Sequence, residues 1–250
     1  SLTSEANTLA FPDFIMVSMT EPKPVALFVI ATNKYIKFVK PLIESVEKHF
    51  LKDRPVHVAV FTNNFRLYQD NQPKLKTERI TCMPILVEHK DWPFMPLERY
   101  KIFKGQFDVE ATVFQDYYSH TFYCDVDMLF VDDVGPEILV KEGLVGVAHH
   151  GFWNKRRDQY TYETSSKSLA YIPRDQGLYY FAGGFQGGET KAFIKACEEM
   201  AENIDIDLHN GVIAVWHDES HWNRYLMDNP TPVKILSPSY CFHESRKNEP

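Results

Sequence analysis

Short apolar runs rich in strand formers alternate with amphipathic stretches along the first half of this 250-residue chain, and that alternation limits its fold more than any single residue does. Val25-Ala-Leu-Phe-Val-Ile30 leads through Ala-Thr-Asn-Lys into an amphipathic segment, Tyr35 to Leu51, which reads as strand then helix. His57-Val-Ala-Val-Phe-Thr62 and Ile80 to Val87 read as further strands, and Leu97 to about Phe107 as a helix. Strands separated by helices pair in parallel and are covered by those helices, so the fold class is α/β. Further on, Thr121-Phe-Tyr-Cys124, Val145-Gly-Val-Ala148 and Tyr179 to Phe185 read as strands, and Lys191 to Ile204 and Asp218 to Met227 as helices. Residues 1 to 24 carry Pro12, Pro22 and Pro24 and read as an arm or linker, with the core starting at Val25.

A hydrophobic content of 44% at this length is enough for one full core. The net charge of -7 and the lack of a basic run give no support to nucleic acid as a partner. Cys82, Cys124, Cys197 and Cys241 are too scattered for a disulfide scaffold or a thiolate zinc site. No apolar run approaches the ~20 residues needed to span a bilayer, so no membrane segment is expected in this chain. The chain opens on Ser1 without a signal-peptide pattern, and the missing initiator Met leaves room for an anchor before it.

The Thr121 strand ends abruptly in Asp125-Val126-Asp127. In an extended segment the two aspartates leave the same face and can address one divalent cation. Hard oxygen ligands suit manganese or magnesium, which keep positions open for phosphate oxygens. A solvated turn at a strand end is the plain alternative. A phosphohydrolase pair would normally lie at the first strand with Thr or Val two residues on, where this chain has Leu129.

His217-Asp218-Glu219-Ser220-His221 precedes an apolar-periodic run and should form the first turns of a helix. One reading makes His217 and His221 zinc ligands of a hydrolase. The favoured reading makes Asp218 and Glu219 the working groups, because an oxocarbenium-like transition state needs a carboxylate beside the anomeric carbon. The tract Ala182-Gly183-Gly184-Phe185-Gln186-Gly187-Gly188 either brings backbone close to a ligand or makes a tight turn. His149-His150-Gly151-Phe152-Trp153 places imidazoles and an indole on a loop, either as a saccharide contact or as structural hydrogen bonders.

Taken in order, Tyr123-Cys-Asp-Val-Asp-Met128, His149-His-Gly-Phe-Trp153, Tyr160-Thr-Tyr-Glu163, Ala170-Tyr-Ile-Pro173 and Ala214-Val-Trp-His-Asp-Glu-Ser-His221 resemble glycosyltransferase family six, from about Val25 to about Phe242. The resemblance implies a GT-A fold, a mixed, mostly parallel sheet flanked by helices. A Rossmann-like half that binds UDP and metal (25–133) would be fused to an acceptor-binding half (134–250), within a single catalytic domain over 25–250. It implies a retaining, manganese-dependent (magnesium possible) hexosyltransferase that moves a sugar from UDP in alpha-1,3 linkage onto an oligosaccharide or glycolipid ending in galactose. Glu219 matches the catalytic glutamate, and Asp125 and Asp127 the metal ligands. Ile30, Thr32, Tyr35, Arg99, Val126 and Asp218 match donor contacts; His149, Thr161, Trp216 and Glu219 match acceptor contacts.

Ala182, Gly183 and Gly184 match the donor-selecting tripeptide, and small residues there favour UDP-N-acetylgalactosamine over UDP-galactose. Family members generally continue into a basic tail over the diphosphate, whereas this chain ends at Pro250 with Arg246 and Lys247 as partial substitutes. An acceptor-binding aspartate of the family falls on His243. With the aspartate pair present and no Asn-x-Ser/Thr site, a soluble microbial or viral enzyme is favoured over one held in the Golgi lumen by a removed anchor. Two readings of other classes stay open: a zinc hydrolase, and a UDP-sugar-binding module without turnover.

Overall fold

The computed structural model describes residues 22–107, 111–229 and 232–244. Residues 1–21 of the expected arm, and Arg246 and Lys247, lie outside the described residues. The first half runs β1 (Val25–Ile30), a 3-10 turn (Asn33–Phe38), α1 (Val39–His49), β2 (Val56–Thr62), α2 (Phe65–Asp70), β3 (Ile80–Leu86), α3 (Phe94–Phe107), α4 (Ala111–Tyr117) and β4 (His120–Cys124). The second half adds β5 (Leu144–Ala148), β6 (Phe181–Glu189), α5 (Thr190–His209), α6 (Asp218–Asp228) and β7 (Val233–Leu236). Among the described residues no helix is long and apolar enough to cross a membrane.

All seven strands join one sheet in the order β3-β2-β1-β4-β6-β5-β7. β1 pairs in parallel with β2 and β4, β2 with β3, and β5 with β7, whereas β6 runs antiparallel to both β4 and β5. The sheet is thus mixed and mostly parallel, as expected. From β1 the chain moves outward to β2 and β3, then crosses back to place β4 on the other side of β1. At such a reversal the loops leaving neighbouring strand ends diverge and open a crevice. Here the diverging loops begin at Ala31 and at Asp125.

Strand alternation divides the core into two layers. Val25, Leu27 and Val29 face α1, where they meet Leu42, Ile43, Val46 and Phe50. Ala26 and Phe28 face the opposite layer with Tyr100, Phe103 and Phe107 of α3, Phe193 and Met200 of α5, and Trp222 of α6. On α3 the spacing Leu97, Tyr100, Phe103, Phe107 lays one apolar stripe on the sheet. Arg99 is carried into the interior beside that stripe.

Two sequence expectations are corrected. The helix expected from Tyr35 starts as a 3-10 turn and becomes α-helical only at Val39. Pro41 has no N–H to donate, so it is accommodated in the first α-helical turn and not in the interior of a longer helix. The glycine tract is not a turn: it lies within β6, which runs to Glu189. Gly187 (φ 146) and Gly188 (φ 150) explain why, since a Cβ on either would sit 2.3 Å from the Thr121 carbonyl oxygen or 2.4 Å from that of Gly143.

Gly188→Ala is therefore expected to cost roughly 2–4 kcal/mol, from overpacking together with positive-φ strain. Urea unfolding measures this, and an unchanged midpoint would contradict the close strand contact.

Candidate active site

The strand ends at the switch point carry the carboxylates. The Asp125 N–H donates to the Gly184 carbonyl at 2.9 Å and so extends the pairing of β4 with β6. β4 ends at Cys124, and Asp125, Val126 and Asp127 form a turn closed by the Met128 N–H to the Asp125 carbonyl at 3.2 Å, with Val126 buried, so the extended segment expected to present both aspartates on one face is corrected to a turn. Asp125 Oδ1 accepts from Arg99 Nη2 at 3.1 Å and from the Tyr123 hydroxyl. Asp127 stands at the mouth, where local burial and the neighbouring Asp125 charge raise its carboxyl above the usual range.

Arg99, 8% exposed, links four elements. It donates from Nη1 to the Gly183 carbonyl of β6 at 2.9 Å and pairs with Asp218 of α6 at 2.6 Å, in addition to its bond to Asp125. Its guanidinium lies 4.0 Å from the centroid of the Tyr123 ring. Arginine suits this place because it remains charged, is planar, and stacks while its fork bonds in several directions.

Ahead of α6 the backbone takes an unusual path, with Trp216 at φ 56 and His217 at φ 53. Positive φ in residues other than glycine costs on the order of 1–3 kcal/mol each, so neighbours must hold them. The Val215 N–H donates to Glu163 Oε2 at 2.7 Å, the Ser220 hydroxyl donates to the Val215 carbonyl, and the Glu219 N–H donates to the Trp216 carbonyl at 3.0 Å. Asn223 then fastens the helix to the start of β6, bonding both the N–H and the carbonyl of Phe181 at 2.8 Å.

The result is that Asp218 and Glu219, in the first turn of α6, both face β6. Glu219 accepts from the Gly183 N–H and from the Tyr180 hydroxyl, each at 2.8 Å. Burial raises the Glu219 carboxyl to about 7 despite those two bonds. Burial likewise lifts Asp218 to about 6, against the opposing pull of Arg99 and with a further rise from Asp125.

The glycine positions are explained by these same carboxylates. A Cβ on Gly184 would lie 2.8 Å from Asp125 Oδ2 and 2.8 Å from the Cys241 sulfur, and one on Gly183 would lie 3.3 Å from Glu219 Cβ. Gly184 is therefore small because Asp125 and Cys241 crowd it. That differs from the expectation of free space for a sugar substituent.

Of the other positions expected from sequence, Ile30 ends β1, and Thr32 is buried with its hydroxyl 2.9 Å from His89 Nδ1. Tyr35 presents a ring that is 40% exposed on the same edge. Across the crevice, Thr161 is half-buried just ahead of Tyr162, and the His149 ring lies 5.6 Å from the Tyr180 ring. The Trp216 indole is exposed just before α6. His243 is exposed and favours the charged form of Asp127, with its ring 6.2 Å from that of His150. Ala182 is buried in β6.

Sequence reasoning missed Tyr180, Tyr123, Asn223 and Cys241. Their types are common in ordinary cores, so only the fold places them here. His217 and His221 do not form a zinc site: the backbone at His217 turns its ring onto Trp92 at 5.1 Å, while His221 is buried 3.6 Å from Asp207.

A mixed sheet with carboxylates gathered at its switch point is the architecture of a GT-A glycosyltransferase. The chain belongs to glycosyltransferase family 6, whose profile matches residues 15–250. It is 39% identical over 224 residues to histo-blood group ABO system transferase 1 of Rattus norvegicus, covering 88% of this chain and 61% of that one. Against globoside alpha-1,3-N-acetylgalactosaminyltransferase 1 of Gallus gallus it is 30% identical over 226 residues, covering 90% and 64%. With the O-antigen biosynthesis glycosyltransferase WbnI of Escherichia coli identity is 28% over 223 residues, covering 88% of each. The chain thus spans less than two thirds of the length of the first two relatives.

A carboxyl whose folded pKa exceeds its unfolded value supports the fold below the unfolded value, and that support is lost as pH rises through the folded one. For Glu219 the window runs from 4.5 to about 7. The thermal midpoint of Glu219→Gln, taken relative to the unsubstituted protein, should rise between pH 4.5 and pH 8. A constant difference would show that Glu219 is not buried as described.

Proposed function

We propose that this chain is a retaining hexosyltransferase that carries N-acetylgalactosamine from UDP in alpha-1,3 linkage to a glycan ending in galactose, with UDP-galactose as the alternative donor. The observation that carries the reading is the placement of Glu219: two hydrogen-bond donors fix it beside the Asp218–Arg99–Asp125 chain, at the sheet edge where a nucleotide would enter. In this reading residues 25–133 form the half that binds UDP and metal, and 134–250 the acceptor half. The preference for N-acetylgalactosamine rests on the name of the avian relative, since the crowding of Gly184 by Asp125 and Cys241 already accounts for its size.

The residues present fit a divalent cation. Asp125 and Asp127 offer hard carboxylate oxygens close together, and the Asp127 carboxyl, raised by burial and by the Asp125 charge, is one a cation would return to its charged form. Asp125 and Asp127 would hold it, with donor phosphate oxygens completing the shell, as hard cations with few protein ligands require. Bound there, manganese or magnesium would supply positive charge to the departing diphosphate.

Ile30, Thr32 and Tyr35 would receive the uracil, the exposed Tyr35 ring stacking on the base. Val126, Ala182, Gly183 and Gly184 would line the donor sugar's path. Asp218, oriented by Arg99, would accept a hydroxyl of that sugar. Glu219 would face the anomeric carbon, where its carboxylate stabilises developing positive charge or attacks it. His149, Thr161, Trp216 and His243 would bind the acceptor.

Glu219→Gln should lower turnover about 100-fold or more, the scale of one lost electrostatic contact to the transition state, while donor affinity changes little. Turnover at the unsubstituted level would refute the role. UDP titrated by calorimetry should bind in a manganese-dependent way that Asp127→Asn weakens, and manganese dependence unaltered by that change would rule out the metal assignment. UDP release from both sugar nucleotides separates the donor assignments, and binding without release would identify a non-catalytic module.

A further inference from the structure

Glu163 is a buried carboxylate set back from the sheet edge, on the loop that begins at Thr161. It is 7% exposed, and both of its oxygens are used on backbone: Oε1 accepts the Ser165 N–H at 2.6 Å and Oε2 accepts the Val215 N–H at 2.7 Å. Its carbonyl also accepts the Ile172 N–H at 3.0 Å, so the residue closes its own loop before reaching across to the next segment. Val215 is held from its other end as well, since its carbonyl accepts the Ser220 hydroxyl. Trp216 and His217 follow with positive φ, a conformation that persists only where the surroundings impose it. The His217 N–H then donates to the Ala214 carbonyl, and the Glu219 N–H to the Trp216 carbonyl, each at 3.0 Å. This hook from Ala214 to His217 thus sets both where the Trp216 indole stands and how Asp218 and Glu219 enter α6.

We propose that Glu163 is a positioning residue for sugar transfer: it ties the acceptor-side loop to the hook, so that Trp216 meets the acceptor while Glu219 faces the anomeric carbon. The proposal rests on the reading of Glu219 and Trp216 given above. A carboxylate suits the place because it only accepts, and both of its partners are N–H groups. The scaffold is secured elsewhere. Asn223 fastens the body of α6 to the N–H and carbonyl of Phe181, and Trp222 is buried in the core beneath it. At its far end the loop is fastened a second time by Asp207 of α5, which accepts the Ser168 hydroxyl and the Leu169 N–H, the latter at 2.9 Å. None of these bonds involves Ile30, Thr32, Tyr35 or Asp127. Loosening the hook therefore displaces Trp216 and Glu219 while the helix, the sheet and the nucleotide edge keep their places.

The test compares the unsubstituted protein with Glu163→Gln, Ser220→Ala, the two combined, and Glu219→Gln. In Glu163→Gln an amide NH2 replaces one oxygen and opposes one of the two N–H groups, while Ser220→Ala removes the other grip on Val215 with little change in size. UDP affinity is measured by calorimetry in the presence of manganese, and kcat and the lactose KM by UDP release from UDP-N-acetylgalactosamine and UDP-galactose. Both single variants should bind UDP within about twofold of the unsubstituted protein and show a raised lactose KM. Turnover should fall about tenfold in Glu163→Gln, the scale of one hydrogen bond to a charged group, and about threefold in Ser220→Ala, the scale of a neutral one. Because both changes free the same peptide, the double variant should stay near tenfold, whereas independent effects would multiply to about thirtyfold. An unchanged kcat or lactose KM in both single variants overturns the proposal, as does a loss of UDP affinity equal to the loss of kcat, or losses that multiply. A Glu163→Gln protein that does not fold assigns the residue to the scaffold and overturns it too. If the unsubstituted protein releases no UDP, or Glu219→Gln matches it, the functional reading itself fails, which is distinct from an active enzyme indifferent to Glu163.

Discussion

A single buried guanidinium organises the site. Arg99 enters from α3, which packs on one face of the sheet, and meets the end of β4 at Asp125, the middle of β6 at Gly183 and the start of α6 at Asp218. These elements come from distant parts of the chain and share no covalent reason to meet. Removing one partner of such a buried pair leaves an uncompensated charge, at a cost of about 3–5 kcal/mol. The arrangement therefore locates the carboxylates and penalises any other arrangement of the same segments.

The Arg99 guanidinium meets two carboxylates at once, Asp125 and Asp218, with Glu219 next to the second of them in sequence. Asp218 is paired closely, yet burial still lifts it to about 6, and Glu219 reaches about 7 with two donors attached. Hydrogen bonds offset only part of the desolvation cost of a charged group. A site in this condition is completed by cations and by ligands with positive or electron-poor centres, which is why the carboxylates argue for chemistry at this edge as well as for structure.

Legibility in the sequence followed the range of the interactions involved. β1 to β4 were readable within about a residue because apolar runs with abrupt polar ends are local signals. Asp125 and Asp127 stood out for the same reason, Asp218 and Glu219 stood out as paired acids at a helix start, and the family resemblance supplied positions for Arg99 and the acceptor side. The glycine tract was ambiguous because its cause is not local: Gly187 and Gly188 are set by the carbonyls of Thr121 and Gly143, and Gly184 by Asp125 and Cys241. His217 looked helical because the pattern ahead of Trp222 is periodic, whereas the Val215 N–H donating to Glu163 and the Ser220 hydroxyl donating to the Val215 carbonyl hold the backbone out of the helix there. Short α2, α4 and β7 went unread, since a few residues of weak periodicity cannot be separated from loop. Tyr180 carried no signal at all, being one aromatic among many.

Placing β6 antiparallel between β4 and β5 makes one uninterrupted sheet out of what would otherwise be two separable halves. Hinge closure needs a few connecting residues that absorb large backbone rotations, and a hydrogen-bonded strand seam offers none. The floor of the crevice is consequently held on both sides of β6 by continuous strand pairing.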